Sequence, residues 1–251
     1  MSSSTSPGYQ TQQSCVAIRG GNDLQIRSLL DRQQYADPHG EAAASGFSAA
    51  NWPLFGVLWP SSLQLAAHML TRPLTPGERI LEVGCGLGLA SLVCHRRGDD
   101  VTASDAHPLA LSFLAENVQL NDLMPLPYRH GDWAAHTHDD AHDRRPVVSG
   151  RFNVIMGSDV LYERDEPGHL AGFIERHACP TAEVIIVDPN RGNRSAFSRR
   201  MREQGFELNE STLSTPEADG LPYRGRLLRY SRSASESSSS SSTCGAIAAP
   251  I

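Results

Sequence analysis

Ile80-Leu81-Glu82-Val83-Gly84-Cys85-Gly86-Leu87-Gly88 is the stretch from which the rest of the chain can be read. Ile80, Leu81 and Val83 make the short apolar run of a buried strand. Gly84, Gly86 and Gly88 break that run, and Leu89-Ala90-Ser91-Leu92-Val93 opens a helical pattern behind them. A strand that turns on glycines into a helix brings bare backbone close to a ligand and aims N-terminal N–H groups at it. A dinucleotide fingerprint wants Gly or Ala in the third place of G-x-G-x-x-G. Here that place is Leu89, and the third glycine comes one residue early. The spacing is G-x-G-x-G behind an acidic residue, Glu82. A tight strand–helix turn without a ligand is the plainer alternative, and the motifs downstream weigh against it.

Working outward, apolar runs and helical patterns alternate in a βαβα rhythm, which implies an α/β fold with a mostly parallel sheet. Strands are expected at 80–83, 101–103, 128–130, 152–156 and 183–187, and helices at 61–70, 108–120, 168–177 and 195–204. Residues 206–212 and 226–231 read as a terminal antiparallel strand pair, and 24–32 as a short helix or strand. Residues 1–20 are rich in Ser, Thr, Gln and Gly and read as a disordered tail. A single domain is expected over 21–230, followed by a disordered Ser-rich tail at 231–251.

The chain has 251 residues, of which 39% are hydrophobic, enough for one core with tails. Its formal net charge is −6, so no global basic field holds nucleic acid. All 22 basic residues are arginine, so a lysine-modifying activity would find no lysine within the chain itself. The five cysteines are scattered and form no C-x-x-C pair, which fits a reducing compartment. No segment approaches a membrane span, and the N-terminus lacks an apolar leader. The expected setting is cytoplasmic and free of membrane. Nothing in the sequence sets the oligomeric state, and a monomer is compatible with it. Residues 136–145 hold His136, His138, His142, Asp139, Asp140 and Asp143. No rigid element there would fix ligands, so a solvated loop and no metal site is expected.

Asp105 ends the second strand, 21 residues beyond Gly84. An acid there can accept bonds from both hydroxyls of a ribose, or cap the next helix; the two roles are compatible. After the third strand come Gly131-Asp132-Trp133, where Asp132 can meet an adenine edge and Trp133 cover its face; a polar turn with a packed Trp is the alternative. After the fourth come Ser158-Asp159-Val160-Leu161-Tyr162, beyond the carboxyl end of the strand where α/β ligands bind. Trp59-Pro60 precedes the 61–70 helix; by pattern alone, Trp59 reads as a core anchor.

Taken together, Trp59-Pro60, Glu82 to Gly88, Asp105, Gly131-Asp132-Trp133 and Asp159-Val160-Leu161-Tyr162 resemble the class I, seven-strand S-adenosylmethionine-dependent methyltransferases. Within that class the resemblance is to methyltransferase family 16 and its bacterial relatives, mostly protein lysine methyltransferases, and it covers about residues 50 to 230. Asp188-Pro189-Asn190-Arg191 resembles the Asp-Pro-x-Arg of bacterial members. The resemblance implies a Rossmann-like seven-strand fold and S-adenosyl-L-methionine held by Trp59, Glu82, Gly84, Cys85, Gly86, Gly88, Asp105, Asp132, Trp133 and Ser158. It implies Asp159 and Tyr162 as the catalytic pair. The partner it implies is a protein substrate or a small amine.

Methyl transfer from a sulfonium needs no metal; alignment does most of the work. A lysine ammonium, with a pKa near ~10.4, must first lose its proton. Asp159 is placed to orient the amine and help that loss, and Tyr162 to wall the site. A small-molecule amine N-methyltransferase is the alternative within the class. The Asn-Pro-Pro-Tyr of amino-methylating nucleic-acid enzymes would fall where this chain has Gly157-Ser158-Asp159-Val160. Outside the class stand an NAD(P)-dependent oxidoreductase, which would need Gly or Ala at 89, and a non-catalytic binding module, against which the intact acidic residues argue.

Overall fold

The computed structural model describes residues 8–134, 146–162, 164–216 and 222–234. The His- and Asp-rich stretch 136–145 lies outside them, as do the two ends of the chain, 1–7 and 235–251. An N-terminal part carries β1 (Thr11–Val16), β2 (Leu24–Leu29), α1 (Glu41–Ala44), a 3-10 turn at Trp52–Gly56, and α2 (Pro60–Thr71). The alternating core follows: β3 (Arg79–Val83), α3 (Leu89–Arg97), β4 (Asp100–Asp105), α4 (Ala110–Leu120), β5 (Tyr128–His130) and β6 (Phe152–Ser158). It continues with α5 (His169–His177), β7 (Ala178–Asp188), α6 (Arg194–Glu203), β8 (Glu207–Pro216) and β9 (Pro222–Arg232).

Seven strands form one sheet in the order β5-β4-β3-β6-β7-β9-β8. The first five are parallel, and β9 runs antiparallel to both β7 and β8. This is the expected Rossmann-like seven-strand arrangement with its terminal antiparallel pair. The central strands are apolar on both faces because helices cover both. Ile80, Val154, Met156, Ile185 and Val187 pack with α2, α3 and α4, whereas Leu81, Val83, Ile155, Val184 and Ile186 pack with α5 and α6. Such strands read as continuous apolar runs instead of an alternation, which is why they are visible in the sequence.

The N-terminal part departs from expectation. Thr11–Val16, assigned to a disordered tail, is a strand paired with β2. Its pattern is mostly exposed and polar, TQQSCV, and carries no core signal of its own. The order comes from α4. Asn117 Oδ1 accepts from Arg27 N at 2.7 Å, and Asn121 both accepts from Gln25 N at 2.9 Å and donates to Gln25 O at 2.8 Å. Two helix amides thus complete the free edge of β2, satisfying backbone groups that a lone hairpin would leave open. Asn117 is fully buried and also donates to Leu87 O at 3.3 Å, which ties the hairpin to the glycine loop.

Among the described residues no helix is long and apolar enough to cross a membrane.

Candidate active site

In the sheet, β4 and β5 lie on one side of β3 while β6 and β7 lie on the other. Ligands of open α/β sheets bind at this reversal, outside the carboxyl ends of the strands. A cavity of about 990 Å³ opens there, at the upper end of the range for small-molecule sites.

The glycine loop forms its floor. Gly84, Gly86 and Gly88 all take left-handed backbone, with φ of 59°, 51° and 75°. A Cβ on Gly84 would stand 3.0 Å from Val160 Cγ1 and 3.4 Å from Trp133 Cζ2. A Cβ on Gly86 would stand 2.8 Å from the carbonyl oxygen of Phe55. Gly86 N–H donates to Asp105 Oδ2 at 2.9 Å, and Asp105 Oδ1 accepts from His107 N at 2.8 Å. Asp105 therefore supports the loop and the turn before α4 while still lining the cavity. Burial pushes its carboxyl above the usual range, and N–H donors from His107, Gly86 and Ala106 oppose that rise.

Of the residues expected to meet a cofactor, Trp59, Gly84, Cys85, Gly86, Asp105, Asp132, Trp133 and Ser158 line this cavity. Burial also drives the Cys85 thiol well above its ordinary pKa, so it is a packed neutral group. Trp59 donates Nε1–H to Leu54 O at 2.8 Å, which fixes its ring at the rim. Asp132 Oδ1 accepts from Ala134 N at 2.9 Å, capping its own turn. Trp133 Nε1 is buried and has no hydrogen-bond partner among the described residues.

Glu82 and Gly88 do not line the cavity. Gly88 turns the chain into α3 and lies against α4, where a Cβ would come 2.4 Å from Leu114 Cδ1. Glu82 lies buried beneath the loop, and its Oε2 accepts from both Ser91 N, at 2.9 Å, and Ser91 Oγ. It holds the first turn of α3 in place. Burial, opposed by the Ser91 bonds, pushes the Glu82 carboxyl from 4.5 up to about 7. The native state thus binds this proton more tightly than the unfolded chain does. Stability from Glu82 is complete below pH 4.5 and is lost as pH rises through about 7. Glu82→Gln keeps an acceptor for Ser91 without titrating. Its melting temperature relative to wild type should climb by about 5–10 °C between pH 4.5 and pH 8. Melting curves across that range test this; a difference independent of pH would show that Glu82 does not titrate there.

The acceptor side lies across the reversal, over β6 and β7. Asp159 follows β6 with φ 57°, a left-handed conformation rare outside glycine. Its N–H donates to Val187 O at 3.0 Å, and its Oδ1 accepts from Arg191 Nη2 at 2.7 Å. Asp159 thus does not cap a helix. Asp165 does that for α5, accepting from Gly168, His169 and Leu170 N–H groups. Tyr162 is 39% exposed and lines the cavity beside Asp159.

Sequence reasoning missed the cover over the loop. Phe55, in the 3-10 turn, stacks on His107 at 3.8 Å between ring centroids, and Phe47 and Asn51 line the cavity with it. Desolvation lowers the His107 pKa to about 3, so the ring packs as a neutral aromatic. The only sequence signal for this cover was the aromatic density of 47–59.

The residues present suit an adenosyl sulfonium. The glycine floor is open only because it lacks Cβ atoms, a carboxylate faces the cavity at Asp105, and indoles stand at both 59 and 133.

A family model described as a methyltransferase domain matches residues 62–221. The EEF1A lysine methyltransferase 3 of Mus musculus is 28% identical over 60% of this chain and 63% of its own length. Electron transfer flavoprotein beta subunit lysine methyltransferases match at 24% identity in Xenopus laevis, over 64% of this chain and 68% of that one. The Danio rerio counterpart matches at 34%, over 55% of this chain and 51% of that one. The matched region thus spans about half to two thirds of these relatives. In fold, the chain is similar to a ribosomal protein L11 methylase from Lactobacillus delbrueckii subsp. bulgaricus. The TM-score is 0.52 and the identity 17%, over 70% of this chain and 81% of that one. A magnesium protoporphyrin IX methyltransferase from Synechocystis gives a TM-score of 0.52 at 18% identity, over 69% of this chain and 78% of that one.

Proposed function

Since the chain belongs to the methyltransferase-domain family, we propose that it is an S-adenosylmethionine-dependent N-methyltransferase acting on a lysine side chain of a protein. One observation carries this reading: Asp159 and Tyr162 line the same cavity as Gly84, Gly86 and Asp105, on the opposite side of the sheet's reversal. The lysine methyltransferases among the relatives support the acceptor class.

S-adenosylmethionine supplies a methyl group activated by the positive charge on its sulfur. Asp105 would hold the ribose hydroxyls, the backbone of Gly84 and Gly86 would lie along the sugar and amino-acid part, and Trp133 would cover the adenine. Ser158 and Trp59 would close the sides. Asp159 orients the acceptor nitrogen and takes part in its proton loss, and Tyr162 walls the channel. Alignment of nucleophile and methyl carbon at about 3 Å provides most of the rate enhancement.

Cell lysate incubated with methyl-labelled S-adenosylmethionine, with and without enzyme, tests the reading. A labelled protein band whose digest contains methyllysine is the expected outcome. Label found only in small molecules would transfer the activity to a small-amine N-methylase. Stabilisation of the enzyme by NAD but not by S-adenosylhomocysteine would overturn the cofactor assignment.

A further inference from the structure

Arg191 is paired with Asp159, the carboxylate assigned above to the acceptor side. Its Nη2 lies 2.7 Å from Asp159 Oδ1, and its guanidinium carbon lies 6.0 Å from the centre of the Trp59 ring. The turn that presents it is anchored from behind. Arg191 N–H donates to Asp188 Oδ1 at 2.8 Å, and Asn190 reverses the chain with φ 66°. Asp188 itself is fully buried at the end of β7.

We propose that Arg191 is a specificity-determining residue: its guanidinium holds the place on Asp159 that an alkylammonium would take, so the acceptor is admitted as a neutral amine. This rests on the amine-methylating reading above. A lysine ammonium meeting a bare Asp159 would form its own ion pair, which favours the charged form. That form has no lone pair to attack a methyl group. With Arg191 on the carboxylate, an entering ammonium meets a paired anion and a neighbouring cation, and the like charge favours loss of its proton to solvent as it enters; Asp159 then serves the proton released when the amine is methylated. A neutral amine escapes this penalty and can donate an N–H to the second carboxylate oxygen.

The other charged groups around Asp159 do not undo the effect. Arg32 lies 4.5 Å over the Trp59 ring, and Arg164, beyond Tyr162, pairs with Glu166 at 3.2 Å. Arg194 on α6 pairs with Glu210 at 3.3 Å. Asp165 is held by the N–H groups at the start of α5. Burial raises the Asp188 carboxyl, the Arg191 N–H opposes that rise, and the charge on Asp159 adds to it.

Calorimetric titration of n-butylammonium at pH 7 into enzyme saturated with S-adenosylhomocysteine tests this directly. Arg191→Met should bind the cation about tenfold more tightly than wild type, while Arg191→Lys stays within about threefold of wild type. S-adenosylhomocysteine affinity should be the same in all three, which shows that the fold is intact. A purely structural role predicts weaker binding in Arg191→Met, and unchanged or weaker binding overturns the proposal. In the lysate reaction, Arg191→Met should lower both kcat and KM at neutral pH and recover toward wild-type rates near pH 10. Loss by one constant factor at every pH overturns it equally. A wild type that labels no protein, beside a tighter n-butylammonium complex in Arg191→Met, would refute the lysine reading and uphold this one.

Discussion

Asp159→Asn is expected to lower turnover by about a hundredfold or more, the scale of a lost general acid–base group, while affinity for S-adenosylhomocysteine stays within about threefold. Asparagine is the informative replacement. It is among the few residues that tolerate left-handed backbone, so the φ of 57° at this position survives the change. Alanine would add backbone strain to the chemical loss and blur the two. The proposed contacts at Gly84, Gly86, Asp105 and Trp133 lie beyond β3, β4 and β5, and Asp159 takes no part in the hydrogen bonds that hold Gly86 and Asp105 in place. Single-turnover methyl transfer and S-adenosylhomocysteine titration, measured side by side, separate the outcomes. Wild-type turnover in Asp159→Asn would remove Asp159 from the mechanism. Loss of both properties would make it a structural residue.

Gly86→Ala should abolish cofactor binding at concentrations that saturate wild type. The added methyl group meets the Phe55 carbonyl oxygen at 2.8 Å, a backbone atom that no rotamer change can move. The left-handed φ of 51° adds about 1–2 kcal/mol of its own. Relief requires the loop to sink or the 3-10 turn to lift, and sinking pulls Gly86 N–H away from Asp105 Oδ2. Gly88→Ala is the control. Its φ is also positive, but its methyl group would meet the end of the Leu114 side chain, which can turn aside. Gly88→Ala should therefore cost about 1–3 kcal/mol of stability yet keep most of its affinity. Equal loss of affinity in the two variants would contradict this division of labour along the loop.

The parallel core and much of the lining of the candidate site were legible in the sequence for local reasons. A strand buried on both faces writes itself as an apolar run, and a glycine loop, the acid ending β4 and the Asp159–Tyr162 turn each sit at a strand end. The rest depended on partners far along the chain. β1 and β2 are ordered by Asn117 and Asn121, some ninety residues downstream. The Phe55–His107 stack joins two segments that carry no common motif. Asp188 to Arg191 stood out as a motif, but only the folded chain brings Arg191 onto Asp159. Glu82 and Gly88 show the reverse case. Both belong to the recognisable motif, and both act beneath the cavity by holding α3 and admitting α4.

The position of β9 bears on how the chain is made. β7 carries Val184, Ile185, Ile186 and Val187, all fully buried, and one edge of it is satisfied only by β9. During synthesis β7 precedes β9 by more than thirty residues, and β8, made first of the two, is not its neighbour in the finished sheet. For that interval the nascent chain carries an apolar strand with an open hydrogen-bonding edge, a template for pairing with other chains. The β8–β9 hairpin is local in sequence and can form before it docks. Its arrival completes the platform from which Asp188 presents Arg191, so the acceptor side is assembled last.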